Sequence, residues 1–171
     1  MALWQKKNLN TSIFVDDRAS DALPMRFTAA AIILLVLVFL SWTAISATME
    51  KKSIHDTEAA ISIIDSNAGM ISANGAGSRV TLDINIPAKV TLVLGGVPDR
   101  EEKWPEDARN YYFRMDSRQF MGESTASYSN EYLNGTAVLG PGSHKITLES
   151  VKRTSDNRIF VKVYENSREG Q

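Results

Sequence analysis

Residues 27–49 read FTAAAIILLVLVFLSWTAISATM, 23 consecutive residues without a formal charge, closed by Arg26 on one side and by Glu50, Lys51 and Lys52 on the other. As a helix rising about 1.5 Å per residue this stretch reaches about 34 Å, slightly more than the roughly 30 Å hydrocarbon core of a bilayer. A helix inside a soluble domain normally keeps one polar stripe, and residues 29–40 carry no polar side chain on any face. Length and the missing stripe together identify a transmembrane helix, so the lipid bilayer is the first partner the chain implies. Trp42 falls toward the end of the run, where an amphipathic ring suits the membrane interface. Small residues gather at its two ends while Ile32 to Leu40 is bulky throughout, which disfavours a close backbone crossing of the small-xxx-small kind at the centre of the span.

The charge balance excludes a nucleic-acid binder. Residues 1–26 carry four basic and three acidic side chains and residues 50–171 carry fifteen and seventeen, so neither part has a basic surplus of that kind. The absence of cysteine removes disulfides, thiolate metal sites and a cysteine nucleophile, and a domain of this size can be held by apolar burial alone. Lys6, Lys7, Arg18 and Arg26 precede the run, whereas only Lys51 and Lys52 follow closely. That asymmetry predicts a cytoplasmic N-terminus and an extracytoplasmic C-terminal domain.

The chain then divides into a cytoplasmic leader or tail (1–26), the transmembrane helix (27–49), an amphipathic stalk helix (50–73), a β-rich extracytoplasmic domain (78–165) and a flexible end (166–171). Residues 1–26 are too polar and too few to build a core. In the stalk, Ile54, Ile61, Ile64, Ala68 and Ile71 fall at helical offsets, with Lys51, Lys52, Asp56, Glu58 and Asp65 on other faces. No proline or glycine interrupts the chain between Pro24 and Gly69, so span and stalk read as one helix of roughly 60 Å, ended by Gly69 and the turn-rich residues 74–78. The apolar stripe has two readings. It packs on its own domain, or it packs on the same helix of neighbouring copies as the core of a filament or bundle.

Beyond Ser78 the period changes from helical to two. Val80, Leu82, Ile84 and Ile86 alternate with polar residues up to Pro87, and Val90, Leu92 and Leu94 alternate up to Gly95-Gly96. Residues 97–109 read as an exposed loop. Tyr111, Phe113 and Met115 mark a third strand; between 116 and 134 the pattern is weak, with short strands near Phe120 and over 128–133. His144, Ile146 and Leu148, then Ile159, Val161 and Val163, form a hairpin after the Gly140-Pro141-Gly142 turn. The fold class is α+β: a long N-terminal transmembrane and stalk helix followed by an antiparallel β-sandwich-like domain.

Motifs of chemistry are sparse. The two histidines, His55 and His144, fall on different predicted elements, and no metal-ligand spacing, phosphate loop or nucleophile elbow occurs. No catalytic residue, cofactor or metal is assigned. Asp99, Glu101, Glu102, Glu106 and Asp107 supply carboxylate oxygens of the kind calcium takes, but the interleaved Arg100, Lys103 and Arg109 make a solvated charged loop. Trp104 and Pro105 at its centre either anchor a partner or tie the loop to the domain. Asn134-Gly135-Thr136 matches the N-glycan acceptor pattern on the predicted outer side, and Asn10-Thr11-Ser12 matches on the cytoplasmic side.

Two processing sites are conceivable. Ala44-Ile45-Ser46 has small residues where a secretory signal peptidase reads, but the long polar region before the run and the run's own length predict a retained anchor. Asp16-Asp17-Arg18-Ala19-Ser20, ahead of an apolar helix, resembles the site at which archaeal prepilin peptidases cut type IV pilin precursors. By that resemblance Arg18 and Ala19 precede the cut and Ser20 begins the mature chain. Asp21, Pro24 and Arg26 stand between this site and the apolar run, where the family's helix starts almost at once. The whole layout, leader, single helix, stalk and cysteine-free β domain, resembles archaeal type IV pilin-like membrane proteins. The resemblance implies a non-enzymatic cell-surface component, a structural or minor filament subunit that meets copies of itself or other pilin-like proteins through the N-terminal helix. A membrane-tethered binding or adhesion module acting as a monomer is the competing class. An enzyme would need a convergent polar pocket for which the sequence offers no residues.

Overall fold

The computed structural model describes residues 17–100 and 103–165, with side chains from residue 25 onward. It contains one helix, α1 (Asp17–Asn74), followed by eight strands: β1 (Arg79–Ile86), β2 (Val90–Leu94), β3 (Asn110–Met115), β4 (Arg118–Glu123), β5 (Tyr128–Ser129), β6 (Ala137–Leu139), β7 (Gly142–Lys152) and β8 (Ile159–Glu165). The architecture is α+β, a long N-terminal helix and a β-sandwich-like domain of two four-stranded sheets. The chain divides into two compact units, Met1–Ala47 and Thr48–Gln171, with the boundary inside α1.

In the first unit, every large hydrophobic side chain from Ile32 to Leu40 is exposed, as are Met25, Phe27, Trp42 and Ile45. None of the most apolar 18-residue window of the helix is buried by the chain, and among the described residues this is one helix long and apolar enough to cross a membrane. Two hydroxyls here bond back to the helix: Ser41 Oγ donates to the Leu37 carbonyl at 2.8 Å and Thr43 Oγ1 to that of Leu40 at 2.9 Å. Such back-bonding gives a helix-borne hydroxyl a partner within its own helix.

In the second unit the sheets are ordered β1-β7-β8-β5 and β4-β3-β2-β6. The β7–β8 hairpin forms as its spacing predicts, and β1 pairs with β7 along its full length, from Arg79↔Glu149 to Ile86↔Gly142. All pairings are antiparallel except β5 with β8, which is parallel over Tyr128↔Val161 and Ser129↔Lys162. Alternation in β1 places Ile84 and Ile86 in the core with Ile146, Leu148, Val161 and Val163 of one sheet and Leu92, Leu94, Phe113 and Leu139 of the other. Phe113 and Phe120 stack across the β3–β4 pair at 4.7 Å.

The stalk stripe belongs to this core. Ile61, Ile64, Ala68 and Ile71 are buried in the same cluster as the strands, and Ile54 packs against it partly buried. Of the two readings of the stripe, the structure therefore shows packing on the chain's own domain, and these side chains are not free for neighbouring copies. The helix also runs past Gly69 to Asn74, where Gly75 (φ 92°) turns the chain out of helical conformation. Gly69 is instead a contact point, because a Cβ there would lie 2.8 Å from Thr125 Oγ1. Its missing side chain lets the segment after β4 approach the helix.

Gly95 is held more tightly. It sits at φ 90°, donates to the Asn110 carbonyl at 2.8 Å, and an added Cβ would come within 2.7 Å of the Tyr128 carbonyl oxygen. Gly95→Ala combines a left-handed backbone conformation that costs an L-residue roughly 1–2 kcal/mol with a clash against main chain. We expect a loss of about 2–4 kcal/mol, read as a lowered denaturation midpoint with an unchanged slope.

Candidate functional site

Helix α1 runs alongside β4, tied to it at two levels. At one end the Arg118 guanidinium pairs with the Glu50 carboxylate; at the other, Ser124 Oγ, one residue past β4, bonds Asp65 Oδ1. The helix between residues 50 and 65 rises about 22 Å, and a strand between residues 118 and 124 about 20 Å, so the two ties keep helix and strand in step. Between them lies a groove of about 570 Å³ walled by Glu58, Ile61, Ser62 and Asp65 of α1 and by Tyr111, Phe120 and Met121 of β3 and β4.

Three polar side chains converge where Asp65 lines it. Asp65 Oδ1 accepts from Ser124 Oγ and, at 3.2 Å, from the Tyr128 hydroxyl, while Ser124 Oγ also accepts the Ala126 amide at 3.0 Å. Ser124 and Tyr128 are buried. Burial above all raises the Tyr128 phenol pKa, with the Asp65 charge adding to it and the Ser124 hydrogen bond opposing it. Tyr111, which also lines the groove, is raised by burial, then by the carboxylates of Asp65 and Glu58. A raised phenol stays protonated in the folded state, so its contribution is intact below pH about 10, the ordinary tyrosine value. Above that pH the unfolded chain ionises more readily and stability falls. Alkaline unfolding followed by far-UV circular dichroism should therefore begin near pH 10.

Asp65 spends its Oδ1 on the two hydroxyls and joins α1 to the segment after β4, a tie the periodicity of the sequence does not reveal because Asp65 reads there as a solvent-face residue. Asp65→Ala leaves two buried hydroxyls without their acceptor, a loss of about 1–3 kcal/mol. Asp65→Asn keeps an acceptor oxygen and should lose less, a ranking that thermal unfolding of both variants checks.

The other candidate residues are dispersed. His144 on β7 has Nδ1 2.5 Å from Glu165 Oε1 and Nε2 2.7 Å from the Gly140 carbonyl, and His55 is exposed on α1. Trp104 ties its loop to the domain: its Nε1 donates to the Tyr128 carbonyl at 3.1 Å, its ring lies 5.3 Å from that of Phe160, and the Arg153 guanidinium sits 4.8 Å above it. Arg153 is in turn fixed by Asp156, whose carboxyl that pairing holds below its usual range. Asn134 is exposed, its Oδ1 accepting from Asn130 Nδ2 at 2.8 Å. Arg18, Ala19 and Ser20 lie within the backbone span of α1, whereas Asn10, Glu101 and Glu102 fall outside the described residues. Among the described residues no three His, Cys, Asp or Glu side chains come together to hold a metal ion. No protein-family model, curated protein or solved structure matches the chain.

Proposed function

We propose that this chain is a non-enzymatic single-pass membrane protein of the cell surface, in which residues 27–49 cross the bilayer and the domain from residue 50 onward stands outside it, tethered by its own helix. The observation that carries the reading is the contrast within α1: Ile32 to Leu40 are uncovered on every face, whereas Ile61, Ile64, Ala68 and Ile71 are enclosed by the strands. An uncovered apolar run of that length calls for a hydrocarbon surrounding. The excess of basic residues before the run supports an inside N-terminus. The converging polar groups Asp65, Ser124 and Tyr128 are engaged with one another, which supports a display or structural role over catalysis.

The test is extraction and accessibility. The full-length chain should stay with membranes in alkaline carbonate and leave them in detergent, and protease added to intact cells should digest the β domain. Release by carbonate would refute the anchor, and a protected domain would refute the orientation.

The pilin-like reading, in which copies assemble through the N-terminal helix, keeps a specific support. With the stalk stripe spent internally, the apolar surface left for copies is the run around Leu35 and Val38, and Arg18-Ala19 precedes it. The cysteine-free background makes Leu35→Cys a clean reporter. Oxidation in the native membrane to dimers favours a subunit that assembles, and a purely monomeric product favours the tethered module.

A further inference from the structure

Resting on the membrane reading, we propose that one end of the β domain, carrying the turns at residues 87–89 and 116–117, lies in the headgroup layer of the bilayer that holds the chain. There Lys51, Lys52, Lys89 and Arg118 engage anionic lipid headgroups.

The position follows from chain connectivity. Arg118 opens β4 and pairs with Glu50, and Glu50 is the first residue after the apolar run that ends at Met49. A bilayer of about 40–45 Å with a hydrocarbon core of about 30 Å leaves a polar layer of roughly 5–7 Å on each side. A hairpin clipped to the residue that leaves the hydrocarbon therefore sits within or against that layer. The register brings the neighbouring turn to the same level: Met115 pairs with both Val90 and Arg118, which closes β2–β3 and β3–β4 at this end. Lys89 lies 3.9 Å from Asp116 across the two turns.

The chemistry fits an anionic surface. Lys51, Lys52, Lys89, Arg114 and Arg118 outnumber Glu50 and Asp116 in the segments that meet at this end. Lys51 and Lys52 are exposed, and the Lys89–Asp116 pair leaves 75% and 66% of its side chains exposed, so Lys89 is open to a phosphate. Lysines and arginines at a membrane surface are drawn to acidic lipids over about a Debye length. Lys51 and Lys52 enter the same layer directly from the span, so tip and stalk form one basic collar.

The test uses the full chain and its lack of cysteine. A fluorophore is placed at Ser117→Cys on the tip, at Ser155→Cys on the opposite end, or at Leu35→Cys in the span. Each chain is reconstituted in phosphatidylcholine vesicles with or without phosphatidylglycerol, with nitroxide on the lipid headgroup or on the acyl chain. The expected result is headgroup quenching several-fold stronger at position 117 than at 155 in vesicles with phosphatidylglycerol. It should fall toward the 155 level in a Lys51→Glu, Lys52→Glu, Lys89→Glu chain. Equal quenching at 117 and 155 with Leu35 still quenched by the acyl nitroxide overturns this inference and leaves the anchor standing. Quenching at 117 that is as strong without phosphatidylglycerol overturns the anionic recognition. An unquenched label at Leu35 overturns the membrane reading and this inference with it.

Discussion

Ile64→Asp is expected to unfold the β domain, while Ile63→Asp, one residue away on the same helix, is expected to leave it folded. Ile64 is fully buried among the strands and Ile63 is 49% exposed. Removing a buried isoleucine alone costs about 2–5 kcal/mol, and placing a carboxylate in the vacated apolar space adds a further penalty of several kcal/mol. Domains of this size hold about 5–15 kcal/mol in total, so the pair of losses consumes most or all of the stability. At Ile63 the same substitution touches solvent and should stay within roughly 0.5–1 kcal/mol. Thermal unfolding in detergent by near-UV circular dichroism distinguishes the two. Equal destabilisation, or a folded Ile64→Asp domain, would contradict the placement of the stripe inside the domain. A stripe reserved for neighbouring copies would have predicted the reverse, lost assembly with the β domain intact.

The second large effect lies in the span. Nine bulky apolar residues, Ile32 to Leu40, contribute roughly −3 to −5 kcal/mol to insertion at about −0.3 to −0.6 each, whereas one aspartate at the centre of a helix costs about 2.5–3.5 kcal/mol. Leu35→Asp combined with Val38→Asp therefore reverses the sign. The doubly substituted chain should move from the membrane pellet to the carbonate-soluble or aggregated fraction, with the parent chain as the reference. Because the β domain draws nothing from these side chains, which are exposed, its folding should survive where its location does not. A doubly substituted chain that stays integral would refute residues 27–49 as the membrane-crossing element.

Most of this fold was legible where one physical signal dominated. The alternation of Val80, Leu82, Ile84 and Ile86 marks β1 because one face of the strand is buried and the other wet, and the paired runs around Ile146 and Val161 mark the hairpin for the same reason. Strand β4 is weakly marked because four of its six residues are exposed, so it reads as polar. Strand β6 passes unnoticed: three residues between Gly135 and Gly140, with the middle one, Val138, exposed, carry too little pattern. Strand β5 falls inside the expected 128–133 stretch but spans only two residues, and its parallel pairing with β8 is set by long-range packing that no local period announces. The helix continues through Gly69, whose missing Cβ makes room for Thr125, a neighbour 56 positions away in the chain. The Asp65 cluster was hidden for a related reason. A carboxylate on a helix reads as a solvent-facing residue until the tertiary fold brings Ser124 and Tyr128 to it. Trp104 stands out in the sequence, but the contacts with Phe160 and Arg153 that tie it to the domain arise from the tertiary fold.

Strand β7 sits between β1 and β8 and bonds to both, yet 55 residues separate it from β1. A ribosome releasing this polypeptide has long since delivered β1 and the stalk before β7 emerges, whereas β2, β3, β4 and β6 are all available earlier. One sheet can thus mature during synthesis while the other must wait for β7 and β8, with the edge of β1 unpaired in the meantime. A nascent product halted before Gly142 would expose both that edge and part of the isoleucine stripe, the kind of surface that holdase chaperones bind and proteases clear.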